Sequence, residues 1–295
     1  MHFLLLAALI LHIPAQSGTA KPPAVRTPPQ LTRAPAAPDR LREESVNSAA
    51  LGRVMKYRVL LPEGYDASLR RYPVLYLLHG LGGNYHDWTT RSNLAEYTRP
   101  LQLIVIMPDG ENAWYTNAAD GSARVEDYLV TDLPADVVQK FRTVNSRYGR
   151  AIAGLSMGGY GALKTALKRP AGFAVVGAFS GAFEVTRPGR LERLIGAAES
   201  ERIGRIFGGP DSQTRRDNDV FTLAAAMKPP AAPYIYIDCG IADNELIAAN
   251  REVVAALHKA GVAYEYHEAA GGHTWDYWDR QIRAFLPVLM KRMTN

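Results

Sequence analysis

Residues 150–167 read RAIAGLSMGGYGALKTAL, and this stretch decides the fold. At its centre, Gly154-Leu155-Ser156-Met157-Gly158 follows the pattern G-x-S-x-G. The residues before it, Arg150–Ala153, predict a strand, and Gly159–Leu167 predict a helix. A serine at such a turn has a strained backbone and an exposed hydroxyl, and the glycines let strand and helix approach closely. Ser156 is therefore a candidate nucleophile; the alternative is a glycine-rich turn with a structural serine.

Short apolar segments alternate with helical patterns on both sides of this motif. The predicted strands are Lys56–Leu61, Tyr72–Leu78, Leu101–Met107, Arg150–Leu155, Phe173–Phe179, Tyr234–Asp238 and Ala263–Glu268. The predicted helices are Asp127–Phe141 with Asp132 as an internal N-cap, Met157–Leu167, Asn244–Ala260 and Trp275–Met293. This alternation predicts an α/β fold, with a mostly parallel, doubly wound sheet flanked by helices.

Residues 183–228 interrupt the alternation with helical patterns, many charges and Gly208-Gly209-Pro210. We expect this segment to be an insertion over the sheet edge and a candidate cap, not a separate domain. The folded domain is then expected to cover residues 41–295.

His273 is the candidate base, because it follows the loop Ala269–Gly272 after a predicted strand and precedes a helix. Asp243 is the candidate acid, in the loop after the strand Tyr234–Asp238. Ligands bind at the carboxyl ends of strands in open α/β sheets, and the chain order serine, acid, histidine suits a triad. The alternatives are helix capping by His273 or Asp243, and Asp238 or Asp276 as the acid, of which Asp238 sits low in the strand and Asp276 is close to His273 in sequence.

The segment His79-Gly80-Leu81-Gly82-Gly83 follows another predicted strand and indicates an oxyanion hole. A developing alkoxide needs two preorganised N–H donors. The N–H of Met157, after the nucleophile, and the N–H of Leu81 are the candidates. The side chain of His79 is expected to bond to backbone.

Aromatic residues in or beside the motif loops are candidates for substrate binding: Trp88, Trp114, Tyr115, Tyr160 and Trp275. The alternative for each is core packing, the commoner use of aromatic side chains. Glu126-Asp127 predicts a charge pair at a helix start, and Cys239 is expected to be an inert packing thiol.

The chain has 295 residues, of which 47% are hydrophobic and 21% charged, as in globular proteins. Of its net charge of +5, residues 1–40 contribute +3, from four basic residues and one aspartate. The rest of the chain therefore lacks the strong positive charge of a nucleic-acid-binding domain. The single cysteine excludes an internal disulfide and a cysteine-based zinc cluster.

The N-terminus predicts export. Phe3–Ile13 is apolar over the length of a signal-peptide core, and Gly18-Thr19-Ala20 offers a cleavage site, so residues 1–20 are read as a signal peptide. Residues 21–40 hold six prolines and predict an extended linker. We expect a secreted or periplasmic protein without stable membrane insertion after cleavage; the alternative is an uncleaved apolar anchor.

Five blocks occur in order: HGLGGNYHDW, IMPDGENAWYTN, GLSMGGYGAL, DCGIADNEL and GGHTWDYWDRQI. Over residues 41–292 the chain resembles the esterase D-like family of α/β-hydrolases, which includes feruloyl and acetyl xylan esterases, short-chain esterases, S-formylglutathione hydrolases and mycolyltransferases. The resemblance implies an α/β-hydrolase fold and a triad at Ser156, Asp243 and His273. It also implies an oxyanion hole at Leu81 and Met157, and neither a metal nor an organic cofactor.

The predicted function is that of a secreted serine esterase acting on short-acyl, feruloyl or acetyl-sugar esters through an acyl-enzyme. The expected partner is a small-molecule or polysaccharide-linked ester, and not a nucleic acid. The alternatives are an acyltransferase of the mycolyltransferase type, a thioesterase similar to S-formylglutathione hydrolase, and a non-catalytic carbohydrate-binding relative.

Overall fold

An eight-stranded sheet organises the computed structural model, which describes residues 40–189 and 196–293. The strands are β1 (Leu41–Ser48), β2 (Arg53–Leu60), β3 (Val74–Leu78), β4 (Ile104–Pro108), β5 (Arg150–Leu155), β6 (Val175–Phe179), β7 (Tyr234–Gly240) and β8 (Tyr264–Ala269). Their order is β1-β2-β4-β3-β5-β6-β7-β8. β1–β2 and β2–β4 are antiparallel, and the other pairs are parallel. The predicted signal peptide, residues 21–39 of the linker and residues 190–195 of the insertion lie outside the described residues.

The central strands are buried on both faces. Every residue of β3, β4 and β6 is buried, which is why their sequences are continuous apolar runs. The predicted α/β fold is thereby confirmed. The edge strand β1 was not predicted, because its sequence LREESVNS carries no apolar alternation and only Val46 and Ser48 are buried.

The helices form two layers, one on each face of the sheet. They are α1 (Asp87–Arg91), α2 (Leu94–Tyr97), α3 (Val125–Asp127), α4 (Leu133–Lys140), α5 (Met157–Lys168), α6 (Ala197–Phe207), α7 (Gln213–Asp217), α8 (Val220–Ala226), α9 (Ile247–Lys259) and α10 (Trp275–Arg292). One core cluster contains side chains of α4, α5, α8 and α9, and the other contains those of α1, α2 and α10. None of the described helices is both long and apolar enough to cross a bilayer.

The predicted helix Asp127–Phe141 is not uniform, because a π-helical segment, Tyr128–Asp132, separates α3 from α4. Pro134 follows this segment and has no N–H to donate to the preceding turn, which favours a local change in helix type. Asp132 occupies the N-cap position of α4, as expected, but its side chain does not cap the helix. Its carboxylate accepts hydrogen bonds from Ser48 Oγ and Ala50 N instead, which ties the π-helical segment to the β1–β2 hairpin.

We expected the insertion to lie over a sheet edge, but the structure places its last helix elsewhere. Its last helix, α8, packs between α5 and α9 within the helical layer on one face of the sheet. The apolar residues Val220, Phe221 and Ala224 bury this helix against that layer. The apolar faces of α6 and α8 therefore belong to the core, whereas α7 buries only Arg215.

Candidate active site

Ser156 lies at the turn between β5 and α5, in a backbone conformation with φ 54° and ψ −117°. Residues with a side chain rarely adopt such a positive φ, and holding one there costs about 1–3 kcal/mol. Close packing enforces the turn: a Cβ added to Gly154 would lie 2.5 Å from the carbonyl oxygen of Gly158. A Cβ on Gly158 would lie 2.6 Å from the carbonyl oxygens of Leu78 and His79.

The structure brings Ser156, His273 and Asp243 together in one hydrogen-bonded row. His273 Nε2 lies 3.0 Å from Ser156 Oγ, and His273 Nδ1 lies 2.8 Å from Asp243 Oδ2. The Asp243 side chain is buried, whereas that of His273 is 39% exposed. A carboxylate at Nδ1 favours the tautomer that leaves Nε2 free to accept the serine proton.

The loops that carry the acid and the base are joined to each other. Ala242 N donates a hydrogen bond to the carbonyl oxygen of Gly271 at 2.9 Å. Gly271 has φ 137°, and a Cβ on Gly240 would lie 2.4 Å from the same carbonyl oxygen. Contact this close fixes the distance between the two loops, and with it the distance between Asp243 and His273.

In the structure, Asp243 does not cap the helix that follows it, and Asp238 does not contact His273 as the acid would. The helix after Asp243 begins at Ile247, and its start is not capped by a side chain. Asp238 is fully buried in β7, where it accepts a hydrogen bond from Tyr277 Oη at 2.9 Å. Burial raises the pKa of Asp238 well above its ordinary value, which disfavours a carboxylate charge at this position.

The candidate oxyanion donors lie beside Ser156. Leu81 lines the same cavity as Ser156, and Met157 is the first residue of α5, whose N–H has no partner within the helix. His79 bonds to backbone as expected: Nδ1 lies 2.8 Å from the carbonyl oxygen of Gly80, and Nε2 accepts from Gly110 N at 2.9 Å. These bonds hold the loop that carries Leu81.

A cavity of about 710 Å³ opens beside Ser156 and His273, and its walls include the indoles of Trp114, Trp275 and Trp278. Trp278, which was not predicted, contacts the His273 ring edge-on at 4.8 Å between centroids. It lies one helical turn after Trp275, so both indoles share a face of α10, and this spacing was visible in the sequence.

Three predicted aromatic residues are core residues and do not line the cavity. Trp88 Nε1 donates to the carbonyl oxygen of Leu78 at 3.0 Å, and the ring packs under Trp275. Tyr160 Oη donates to the carbonyl oxygen of Asn218 at 3.0 Å. Tyr115 is buried, and its hydroxyl donates to the carbonyl oxygen of His79. Their hydroxyl and N–H groups are thus satisfied within the core.

Glu126 is more than the charge pair at a helix start that the sequence predicted. Its carboxylate is buried and accepts hydrogen bonds from Lys164 Nζ at 2.8 Å and Lys168 Nζ at 2.9 Å. Burial would raise the pKa of Glu126, but attraction to both ammonium groups outweighs it and lowers that pKa to about 2.

Cys239 is buried, and burial raises the pKa of its thiol to about 12, as expected for an inert thiol.

Within residues 40–189 and 196–293, no group of three or more His, Cys, Asp or Glu side chains is placed to hold a metal ion.

Comparison with known proteins identifies the family. The model of the Esterase family matches residues 48–289. The chain belongs to the esterase family. An acetyl esterase of Caldicellulosiruptor saccharolyticus is 30% identical to it over 221 residues, which are 74% of this chain and 83% of that protein.

Two further similarities bear on this esterase. An esterase of Mycobacterium tuberculosis is 33% identical over an alignment of 252 positions, which covers 77% of this chain but only 54% of that protein. The solved structure of fluorophosphonate-binding serine hydrolase F of Staphylococcus aureus superposes with a TM-score of 0.74 at 27% identity, covering 89% of this chain and 100% of that one. The chain is accordingly an enzyme, a serine esterase with the α/β-hydrolase fold.

Proposed function

We propose that this esterase hydrolyses short-acyl carboxylic esters with Ser156 as nucleophile, His273 as general base and acid, and Asp243 as the orienting carboxylate. The observation that carries the proposal is the row of hydrogen bonds from Ser156 Oγ to His273 and from His273 to Asp243, at 3.0 and 2.8 Å. The first distance suits transfer of the serine proton to His273, and the second suits the hydrogen bond by which Asp243 orients the imidazole.

In the first half-reaction, Ser156 Oγ forms a bond to the ester carbonyl carbon while His273 Nε2 takes the hydroxyl proton. Asp243 accepts the hydrogen bond of Nδ1–H and stabilises the imidazolium. The carbonyl oxygen becomes an oxyanion and accepts hydrogen bonds from the N–H groups of Leu81 and Met157. The bond from carbon to the leaving oxygen then breaks, and His273 returns its proton to the departing alkoxide.

In the second half-reaction, water takes the place of the alcohol. His273 removes a proton from the water as its oxygen attacks the acyl carbon. The second tetrahedral intermediate collapses when the bond to Ser156 Oγ breaks and His273 protonates that oxygen. One ester and one water thus yield one acid and one alcohol, and the enzyme is restored.

Two candidate acyl groups have separate support. Acetyl esters are supported by the 30% identity to an acetyl esterase. Feruloyl esters are supported by the cavity, whose volume of about 710 Å³ and three indole walls suit an aromatic acyl group. In either case the alcohol is expected to be a sugar or another small alcohol.

The site of action that we propose is the periplasm or the outside of the cell. Its support is the apolar segment Phe3–Ile13 followed by the small residues Gly18-Thr19-Ala20. Determination of the N-terminal residue of the protein secreted by cells tests it. A protein that begins at or near Lys21 supports export, and an intracellular protein that begins at Met1 contradicts it.

The catalytic proposal is tested with purified protein on 4-nitrophenyl acetate and methyl ferulate, with Ser156→Ala as the control. We expect serine-dependent turnover of the acetate, and turnover of both esters if the enzyme is a feruloyl esterase. A fluorophosphonate probe should label the wild-type protein at Ser156. Folded Ser156→Ala protein with undiminished turnover would contradict the assignment, and acyl transfer to an added alcohol in excess of hydrolysis would show a transferase instead.

A further inference from the structure

Asp87 places a carboxylate on the wall of the active-site cavity without a partner. It is the first residue of α1, it is more than nine-tenths buried, and it lines the cavity beside Gly83 and Ser156. Its Oδ2 packs so closely on Gly83 that a Cβ added there would lie 2.3 Å away. In the described part of the chain, its carboxylate accepts no hydrogen bond and forms no ion pair.

The fold gives no sufficient reason for such a group. The carboxylate oxygens keep contact with the open cavity, and no donor of the described residues reaches them, so they can accept a hydrogen bond only from a group inside the cavity. The place of Asp87 in the first turn of a helix stabilises its charge by less than about 1 kcal/mol. A hydrogen-bond donor of the ester substrate would satisfy the carboxylate in the complex.

The neighbouring charge indicates what kind of donor this is. Arg91 lies one helical turn after Asp87 on α1 and lines the same cavity, where its guanidinium carbon stands 5.1 Å from the ring centroid of Trp275. The guanidinium forms no ion pair with any carboxylate in the described residues. Its positive charge offsets the negative charge of Asp87, so α1 itself brings no net charge to the cavity, although Glu245 and Asp276 also line it. A neutral hydroxyl donor needs no net attraction from this helix.

We propose that Asp87 is a specificity-determining residue that accepts a hydrogen bond from a hydroxyl group of the ester. The substrates of this site are then esters of hydroxylated acids or of polyols, and simple alkyl esters are poor substrates. This inference rests on the proposed function, since it takes hydrolysis at Ser156 as given and adds the selection of the substrate.

Isosteric ester pairs test the inference directly. In 2-hydroxyethyl acetate and propyl acetate, a hydroxyl of the alcohol replaces a methyl group. Ethyl glycolate and ethyl propionate differ in the same way on the acyl side. For wild-type protein, kcat/KM should favour the hydroxylated member of at least one pair by about ten- to a hundredfold, the usual effect of a hydrogen bond to a charged group.

Variants assign the preference to Asp87. In Asp87→Leu the ratio should fall to about one, and in Asp87→Asn, which keeps an acceptor but no charge, it should lie between. Asp276→Asn is the matched control, because it removes the same charge from the same cavity; its ratio should equal that of the wild type. The Tm of Asp87→Asn should be equal to or higher than that of the wild type, whereas a purely structural carboxylate would give a lower Tm.

Several outcomes would overturn the inference. They are a wild-type ratio near one for both pairs, an undiminished ratio in folded Asp87→Leu or Asp87→Asn, and a preference for acetylcholine over 3,3-dimethylbutyl acetate, which would show a site for ammonium groups. Failure of the proposed function is distinguishable, because no ester would then be hydrolysed in a Ser156-dependent manner.

Discussion

Lys164 Nζ lies 2.8 Å from Glu126 Oε2, and both side chains are closed off from solvent. The same ammonium group donates hydrogen bonds to the carbonyl oxygen of Tyr115 and to Thr116 Oγ1. Trp114 and Tyr115 have positive φ angles of 53° and 50°. The buried ion pair therefore connects α5, which begins after Ser156, to the strained loop that places Trp114 on the cavity wall.

Replacing Lys164 by Met should destabilise the protein by about 3–5 kcal/mol, because it leaves the Glu126 carboxylate buried beside fewer positive charges. Arg169→Gln is the control. Its guanidinium lies 3.4 Å from the same carboxylate but is 44% exposed, so its loss should cost less than about 1 kcal/mol. Urea unfolding measures both. Equal losses for the two variants would show that burial of the pair contributes nothing.

The same cluster should determine part of the acid stability. The pKa of Glu126 is about 2 in the folded protein and about 4.5 when unfolded, so the unfolded state binds more protons between these values. The free energy of unfolding should therefore fall as the pH drops from 4.5 to 2, by up to roughly 3 kcal/mol from this group. The pH dependence of urea unfolding should be less steep in Glu126→Gln, and an unchanged slope would disprove this assignment.

Asp243→Asn should lower kcat by about 10³- to 10⁴-fold, since an amide cannot favour the required histidine tautomer or stabilise the imidazolium. Asp238→Asn is the matched control, because Asp238 lies in β7, just before the loop that carries Asp243. Burial raises the pKa of the Asp238 carboxyl and disfavours its charge, and an amide oxygen can still accept from Tyr277 Oη, so kcat should change by less than about threefold. Initial rates on 4-nitrophenyl acetate decide the matter. The reverse order of effects would make Asp238 the acid.

Gly158→Ala should destabilise the protein by about 3 kcal/mol and lower kcat/KM, because the new Cβ would meet two backbone carbonyl oxygens at 2.6 Å. These carbonyls belong to the end of β3, which leads into the loop of Leu81. Gly204→Ala is the control: it lies within α6 with nothing within 4 Å of the added Cβ, and should stabilise by about 0.5–1 kcal/mol. Thermal unfolding and esterase assays report both effects, and an active, stable Gly158→Ala variant would contradict the close approach.

Local patterns were sufficient to predict the parallel strands and the residues at their ends. Strands buried on both faces are continuous apolar runs, and the loops that follow β5, β7 and β8 meet at one edge of the sheet. The sequence therefore pointed to Ser156, Asp243 and His273 before any geometry was known.

Features that depend on contacts distant in sequence were not predictable in this way. Glu126 and Lys164 are 38 residues apart, and neither carries a local sign of the other. Asp87 and Arg91 lie on a helix of five residues, which is too short to show a periodic pattern. Trp88 and Trp114 both follow motif segments, and only the packing of the folded chain separates the core residue from the cavity residue.

The position of β8 bears on how this enzyme loses activity under heat or denaturant. β8 is one of the two edge strands of the sheet, it pairs with β7 alone among the described strands, and all of its residues are partly or fully exposed. It ends four residues before His273, while Ser156 lies beyond β5, deep in the sheet. Local unfolding of this edge strand would move His273 away from Ser156 while the rest of the molecule stays folded. Inactivation by heat or denaturant should therefore precede unfolding of the core. The half-life of the activity is then determined by the stability of one edge strand and not by that of the whole fold.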